Sequence, residues 1–531
     1  MSRGTTLGRS VVRHRRRAAV IGVAAAALIG SVNVGVDASA PPDQERRGGS
    51  VTVALNGPPL AIDPSLDRIS FSYGIAVVGA AIFGHLAYVE PTTGAVKLYF
   101  LESLEPNEDA SVWTMRLHPN IKFSDGTPLD AEAIKYNIER TADPETGSAF
   151  QGAAEGLEMT VIDDLTLEVA LPEPNRLWDA NVVANLSAVG SPTAIQAALD
   201  AGEVPGSNPV GAGPFMIDEW DPGARVVLAA NPYFQDFEPG QPFLDELIFE
   251  AVPDDQQRVN AVLSGAAQMS LVYFGSAANE LLENANAVTT TPGGANSISL
   301  STSRPPFDDV RARRALALAL DRAAIGEAIN PGSPLMTGLF PEGSPFYNPE
   351  YTWPEQDHDE AQRLFDELAA EGNPVEFTYT TNDSATQRDV FDALAAQLAE
   401  YDNVSITADV RTQNDYTLAT KVQHDFQTSA SCVCFTAPVP GLYDYLTPGG
   451  IENYSDWENE DVTAALAGLS SVQSVEEQKA IWDVVQRELV EEMPILFFTS
   501  AGITLGYADG LLAPVPVNLG TYPIWAEVGY E

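Results

Sequence analysis

The chain is poor in thiols, imidazoles and positive charge. Its 531 residues hold two cysteines, five histidines, and 28 lysines and arginines against 74 acidic residues, a formal net charge of −46. A surface so negative repels nucleic acid and anionic lipid, so neither is expected as a partner. The charge favours solubility but says nothing of a ligand's charge, because the field inside a pocket can differ from the net. No G-x-S-x-G, H-E-x-x-H or phosphate-loop pattern occurs, which removes the usual signatures of a serine hydrolase, a zinc protease or a nucleotide-hydrolysing enzyme. Beyond the first 40 residues no apolar run approaches the length needed to span a bilayer. Internal repeats are absent too. No catalytic residue, cofactor or metal is therefore expected.

What is present begins with a segment outside the fold. "MSRGTTLGRSVVRHRRR" carries six arginines and no acid; "AAVIGVAAAALIGSVNV" follows; "ASA" ends at Ala40. A basic head, an apolar stretch and a small-residue site make an export signal, residues 1–40, with cleavage expected after Ala40. An uncleaved anchor is the alternative. Without the segment, 22 basic residues face 73 acidic ones. At 45% hydrophobic the remainder is globular, and its length suits two to three domains.

Local patterns give the organisation. "SVTVAL" alternates as a strand. "SVWTMRLHPNIKFSDGTPLDAEAIKYNIER" reads as two strands, a tight turn at Asp125-Gly126, and a helix capped by Asp130. "FDDVRARRALALALDRAAIGEAI" reads as one helix capped by Asp308 or Asp309, with Arg322 paired to Asp321 at its end. Further on, "VEFTYTT", "RDVFDALAAQLAEY" and "VSITADV" spell β-α-β, the unit of an open α/β sheet. "SVEEQ" is a capping box, Ser474 with Glu477. Residues 330–357 are rich in Pro, Gly and aromatics and lack periodicity, as a functional loop or a crossing between subdomains would.

Several separated motifs, in order, resemble the extracytoplasmic solute-binding proteins of ABC importers, in the oligopeptide/dipeptide/nickel family (bacterial solute-binding protein family 5). They are "AIDPSLDRISFSYGIAVVGAAIFGHLAYVEPTTGAV", "IKFSDGTPLDAEAIKYNIER", "NPVGAGPFMIDEWDPGARVVLAANPYF" and "RPPFDDVRARRALALALDRAAI". These stretches are scaffold rather than ligand contacts: a turn glycine, a stiffening proline, helix caps. The resemblance implies an α/β, two-lobed periplasmic-binding-protein-like fold of type II, in the large cluster C form. Lobe I would span 41–302 with a subdomain at about 90–200, lobe II 303–500, and 501–531 would return to lobe I. Two hinged lobes would close on a peptide or peptide-like solute and offer it to a membrane permease, the protein acting as a monomer without enzymatic activity.

The resemblance also bears on "SCVCFTAPVP", Ser431–Pro440, which holds both cysteines. Peptide-binding members carry an aromatic-Cys-Ala-Asp-Tyr-x-x-Pro strand end there, whose aspartate meets the ligand's α-ammonium. Aligned without gaps, Pro438 takes the proline, Phe435 the tyrosine, Cys432 the cysteine, and Cys434 the aspartate. A neutral thiol cannot pair with a buried ammonium. Either the ligand is not a peptide N-terminus (an oligosaccharide, a modified metabolite or a metal chelate instead) or another carboxylate serves. Asp444, between Tyr443 and Tyr445, is the nearest candidate, although helix capping or solvent would suit it equally.

In an extended strand, residues i and i+2 lie about 6.5–7 Å apart, at the limit for a disulfide. The ring would be too small to stabilise much. The pair is thus expected not to be a staple but two small side chains shaping a pocket wall. With only His424 upstream, a tetrahedral metal site lacks ligands; a thiol enzyme or a sensory receptor is the weaker alternative. The resemblance adds Phe71, Tyr73, Tyr416 and Trp457 as aromatic pocket candidates beside Cys434, Phe435, Tyr443, Asp444 and Tyr445. No cysteine precedes Cys432, so lipid anchoring at the signal is not expected. The protein is expected to be periplasmic, secreted or held at the cell surface by its own signal.

Overall fold

A computed structural model describes residues 48–66, 74–91, 95–148, 150–273, 275–290, 293–382, 385–435, 438–450, 452–472, 474–518 and 520–531. The expected signal, residues 1–40, and the candidates Phe71 and Tyr73 lie outside the described residues. Pro41–Glu531 forms one compact unit.

The first strand, Ser50–Leu55, buries Val51, Val53 and Leu55 completely, as its alternation predicts. It lies at the centre of a seven-stranded sheet, parallel to Glu246–Ala251 on one side and Met269–Tyr273 on the other. Outward from these, Arg225–Ala230 and Phe215–Asp221 continue one flank; Ile503–Tyr507 and Asn286–Thr290 continue the other. The helix Ile75–Phe83 has almost no polar residue and buries nearly all of its surface, which suits an element enclosed on every side.

A four-stranded antiparallel sheet, Leu101–Pro106, Val112–Leu117, Thr166–Ala170 and Glu158–Asp163, has its own core around Trp113, Phe123 and Trp178. Its strands fall between residues 101 and 170. Gly126 turns the chain at φ 85°, a conformation that costs glycine little. The helix Ala131–Ala142 then starts where expected, with the Asp130 carboxylate accepting from the Ala133 N–H at 2.9 Å. Such a cap contributes about 1 kcal/mol.

The second half builds a five-stranded sheet in the order Val404–Arg411, Val375–Asn382, Thr428–Phe435, Gly293–Leu300, Ile495–Ser500. The first two are parallel and joined by the helix Ala385–Leu398, the expected β-α-β unit. Ser474 and Glu477 form the reciprocal capping box. The loop 330–357 lays Met336, Phe340 and Trp353 into the core beneath this sheet, so packing accounts for its aromatic content.

Two local expectations are corrected. The stretch from Val310 is two helices, Val310–Ala319 and Arg322–Ile329, broken at Leu320 because Asp321 caps the second through the Ala324 N–H. Arg322 is not paired to Asp321 at a helix end. Its guanidinium is buried and donates to the carbonyls of Met336 and Phe497, at 3.0 and 2.8 Å. Burial lowers its pKa to about 10, a little offset by the Asp321 charge.

The chain passes from the seven-stranded to the five-stranded sheet between Thr290 and Gly293, and back between Ser500 and Ile503. Residue 302, the expected lobe boundary, lies just past the end of Gly293–Leu300. The strand's small and polar residues had not marked it as a sheet member.

Candidate functional site

The cysteine strand, Thr428–Phe435, lies between Gly293–Leu300 along its whole length and Val375–Asn382 at its start only. Antiparallel register sets Phe435 against Gly293, Cys434 against Gly294 and Cys432 against Asn296. Gly293 follows the outward passage between the sheets; Ser500, at the return passage, pairs with Ala295. The cysteines therefore sit beside both passages. Alternation sends Val433 and Phe435 into the core, 1% and 3% exposed, and leaves Cys432 and Cys434 together on the opposite, half-buried face.

Cys432 and Cys434 form a disulfide, against expectation. Their Cα atoms are 5.6 Å apart, closer than the extended-strand spacing and within bridging range. Local contraction of the strand is what joins them. Opposite Cys434, Gly294 has φ +89°, and a Cβ there would fall 1.8 Å from the Val433 carbonyl oxygen. Only glycine fits, and it puts no side chain beside the disulfide.

Tyr445 secures this stretch. Its hydroxyl donates to the Cys432 carbonyl at 3.1 Å and accepts from the Cys434 N–H at 3.5 Å. Burial, with the Glu452 carboxylate adding to it, holds the Tyr445 phenol well above its ordinary pKa, so it stays a donor. Around it lies a polar group that residue patterns had not revealed: Glu452, and Lys421 with its ammonium 4.0 Å from the centre of the Tyr454 ring. Burial lowers the Lys421 pKa while Glu452 opposes the shift. Lys421 stands on a π-helical turn, Leu418–Val422, an irregularity common at functional positions.

The other expected residues are distributed as follows. Asp444 is half-buried on the helix Pro438–Leu446, directly after the cysteine strand. Tyr443 donates to the Leu466 carbonyl, and burial pushes its pKa up to about 12. Tyr416 is buried and donates to the Ala430 carbonyl at 2.9 Å. Trp457 is 2% exposed, with its indole N–H on Glu492 at 2.7 Å. Tyr416, Phe435, Tyr445 and Trp457 are thus packed into protein, the polar ones with their donors on protein acceptors. Cys434 and Asp444 keep partial exposure. Asp456, next to Trp457, bonds Ser303, beyond the end of Gly293–Leu300 remote from the cysteines.

The segment that follows the four-stranded sheet reaches this region. The Arg176 N–H donates to the Ser470 carbonyl at 3.0 Å, and Leu177 packs into the core beneath the cysteine strand. The short helix Trp178–Asn181 then lies against Pro438–Leu446. Its Asp179 is half-buried; desolvation raises its carboxyl pKa, partly offset by the Ala180 N–H at 2.9 Å. Among the described residues it forms no ion pair. Nothing in the pattern "EPNRLWDANV" had signalled it, because only the tertiary contact gives it meaning. Among the described residues no group of three His, Cys, Asp or Glu is placed to hold a metal, and no helix is long and apolar enough to cross a membrane.

A family model for bacterial extracellular solute-binding proteins, family 5 middle region, matches residues 96–453. The glutathione-binding protein GsiB of Shigella boydii serotype 4 is 29% identical over 290 residues, 54% of this chain and 55% of the relative. That of Escherichia coli K12 is 28% identical over 291 residues, with the same coverage. The chain thus spans about half the length of the curated relatives it matches. Among solved structures, AgaA of A. tumefaciens R10 with agropinic acid superposes at TM-score 0.79, 20% identity, covering 91% of this chain and 99% of that one. DppA of Helicobacter pylori with the peptide STSA gives 0.79 and 19%, covering 92% and 99%. AppA of Bacillus subtilis with a nonapeptide gives 0.76 and 18%, covering 88% and 96%. These likenesses establish the two-lobed periplasmic-binding-protein fold.

Proposed function

This chain belongs to the bacterial extracellular solute-binding proteins of family 5, and from that premise we propose that it is the substrate-binding component of an ABC importer. It works outside the cytoplasm, behind a cleaved or retained export signal at residues 1–40. There it captures a peptide or peptide-like solute between two hinged lobes as a monomer, and delivers it to a membrane permease. No chemistry is performed on the solute. The observation that carries this reading is the family match across 358 residues, joined to a sheet arrangement in which the chain passes twice between two sheets. Closure of two rigid bodies about such a pair of crossings is hinge motion.

The ligand reading takes Cys434 and Asp444 as contacts on lobe II, with Phe71 and Tyr73 from lobe I. Phe435, Tyr443, Tyr445, Tyr416 and Trp457 form the layer that holds the wall. Peptide-like chemistry is supported by relatives named for glutathione and by structural neighbours holding peptides. Since Cys434 carries no charge, we assign the ligand's ammonium to Asp179 or Asp444, which stand on two helices in contact, Trp178–Asn181 and Pro438–Leu446. A second reading is a non-peptide solute in the same cleft; the loss of a carboxylate at position 434 and the agropinic acid held by AgaA favour it.

Native mass spectrometry of the purified protein, followed by denaturation and identification of what is released, tests both. Short peptides support the first reading, and one non-peptide compound the second. Failure of the protein to bind any solute from peptide, opine and oligosaccharide panels would sink the proposal.

A further inference from the structure

We propose that the Cys432–Cys434 disulfide is an exchange site that takes up a low-molecular-weight thiol as a mixed disulfide on the wall of the cleft. The inference rests on the reading that the cysteine face of the strand borders the ligand.

Four observations lead there. The bond closes a ring of three residues, so it restricts the unfolded chain far less than a long-range disulfide, and the fold does not depend on it. Its sulfurs lie on the half-buried face of the strand, away from the core that holds Val433 and Phe435. The facing residue Gly294 is held to glycine by its backbone, so it places no side chain over Cys434, while Asn296 of the same strand pairs with Cys432. Finally, Tyr445 grips the backbone of both cysteines, so that stretch of strand stays held when the bond opens. A disulfide that does little for stability, reaches solvent and is mechanically supported is placed for chemistry.

The step balances without a further reactant. The incoming thiol, as thiolate, attacks the Sγ of one cysteine. The Sγ–Sγ bond breaks, its electron pair leaves on the other sulfur, and that sulfur takes up a proton. One whole thiol molecule is added and nothing is lost; attack by the freed cysteine on the mixed disulfide reverses the step and releases the thiol.

The test uses oxidised, purified protein, with reduced glutathione as the thiol probe and S-methylglutathione as the same tripeptide without a reactive sulfur. After timed incubation, free thiols are blocked by alkylation, and intact and peptide masses are read. The expected result is one glutathione on the peptide carrying residues 432–434, with the other cysteine alkylated. Its rate should saturate with glutathione and fall at least tenfold when S-methylglutathione competes. The variant with Cys432→Ser and Cys434→Ser should take up none while keeping the parent's fold by circular dichroism. Binding of S-methylglutathione with no adduct overturns the exchange site and leaves the solute-binding reading standing. An adduct that forms no faster than with 2-mercaptoethanol, without saturation, overturns it as well, because no site is then involved. Neither adduct nor binding removes both readings.

Discussion

Tyr445 donates its hydroxyl to the carbonyl oxygen of Cys432, 3.1 Å away, and so ties the helix Pro438–Leu446 back to the strand that precedes it. That strand has little other support on this edge, since its pairing with Val375–Asn382 ends at Ser429. Beyond Ser429, Tyr445 is thus one of the side chains that hold the wall of the proposed cleft. Tyr445→Phe keeps the packing but leaves the carbonyl and the Cys434 N–H without this partner. We expect a loss of about 1–2 kcal/mol in urea unfolding, with an unchanged m-value. Solute affinity should fall with it, by severalfold, as the strand loosens. An unchanged unfolding midpoint would mean that the strand is held by packing alone.

Gly294 makes a sharper demand. Its φ of +89° disfavours any side chain, and a Cβ would collide with the Val433 carbonyl oxygen at 1.8 Å. Gly294→Ala should cost about 3 kcal/mol or more, since strain and collision add. Gly147 has φ +69° but open space around it, so Gly147→Ala should cost only about 1 kcal/mol. Denaturant unfolding of the two variants side by side separates the contributions. Equal losses would show that backbone conformation, not the close approach, is what keeps Gly294.

These two positions show where residue patterns were informative and where they were not. Caps at Asp130, Asp309 and Ser474 were legible because an N-cap is decided within three residues of itself. The β-α-β unit from Val375 was legible for the same reason: period two, then 3.6, then two. The disulfide was misjudged because its spacing depends on a contraction opposite Gly294, which lies 140 residues away in sequence. Gly293–Leu300, "GGANSISL", was not legible as a strand because it has the composition of a loop and becomes a strand only between two partners. Asp321 could have been read as a second cap, and was passed over because the apolar pattern runs on through Leu320. Asp179 and Lys421 gave no signal at all, since their surroundings are entirely tertiary.

Asp179 yields a test with two readouts. Desolvation raises its carboxyl pKa in the fold, so the folded state holds the proton more tightly than the unfolded chain does. Stability should therefore decline as pH rises from the unfolded value of about 3.9 through the raised folded value. Asp179→Asn should flatten that decline and gain stability at neutral pH. If the carboxylate meets the solute's ammonium, the same change should weaken binding of a cationic peptide by about 10- to 100-fold, the worth of a charged hydrogen bond. Binding of an N-acetylated peptide should be spared. A variant that is stabilised and binds both peptides as before would assign Asp179 to the contact between Trp178–Asn181 and Pro438–Leu446 and leave Asp444 to meet the ammonium.

His85 gives the chain a titration of the opposite sense. The imidazole is 5% exposed and stacked on Tyr522, with ring centres 5.4 Å apart and planes 11° from parallel. Its Nδ1 has no hydrogen-bond partner among the described residues. Burial lowers its pKa from 6.5 to about 4, so the fold accepts the neutral ring and resists the charged one. Because the folded value is depressed, the unfolded chain binds more protons between pH 6.5 and 4. The contribution is complete above 6.5, declines as pH falls through that window, and is lost below about 4. A shift of this size corresponds to roughly 3 kcal/mol across the window. His85→Phe retains an aromatic stack on Tyr522 and removes the proton site. The difference in unfolding free energy between variant and parent, followed from pH 7 to pH 4, should grow by about that amount in the variant's favour. A constant difference across the range would mean that the ring reaches solvent before it protonates, and that acid sensitivity arises from the many carboxylates instead.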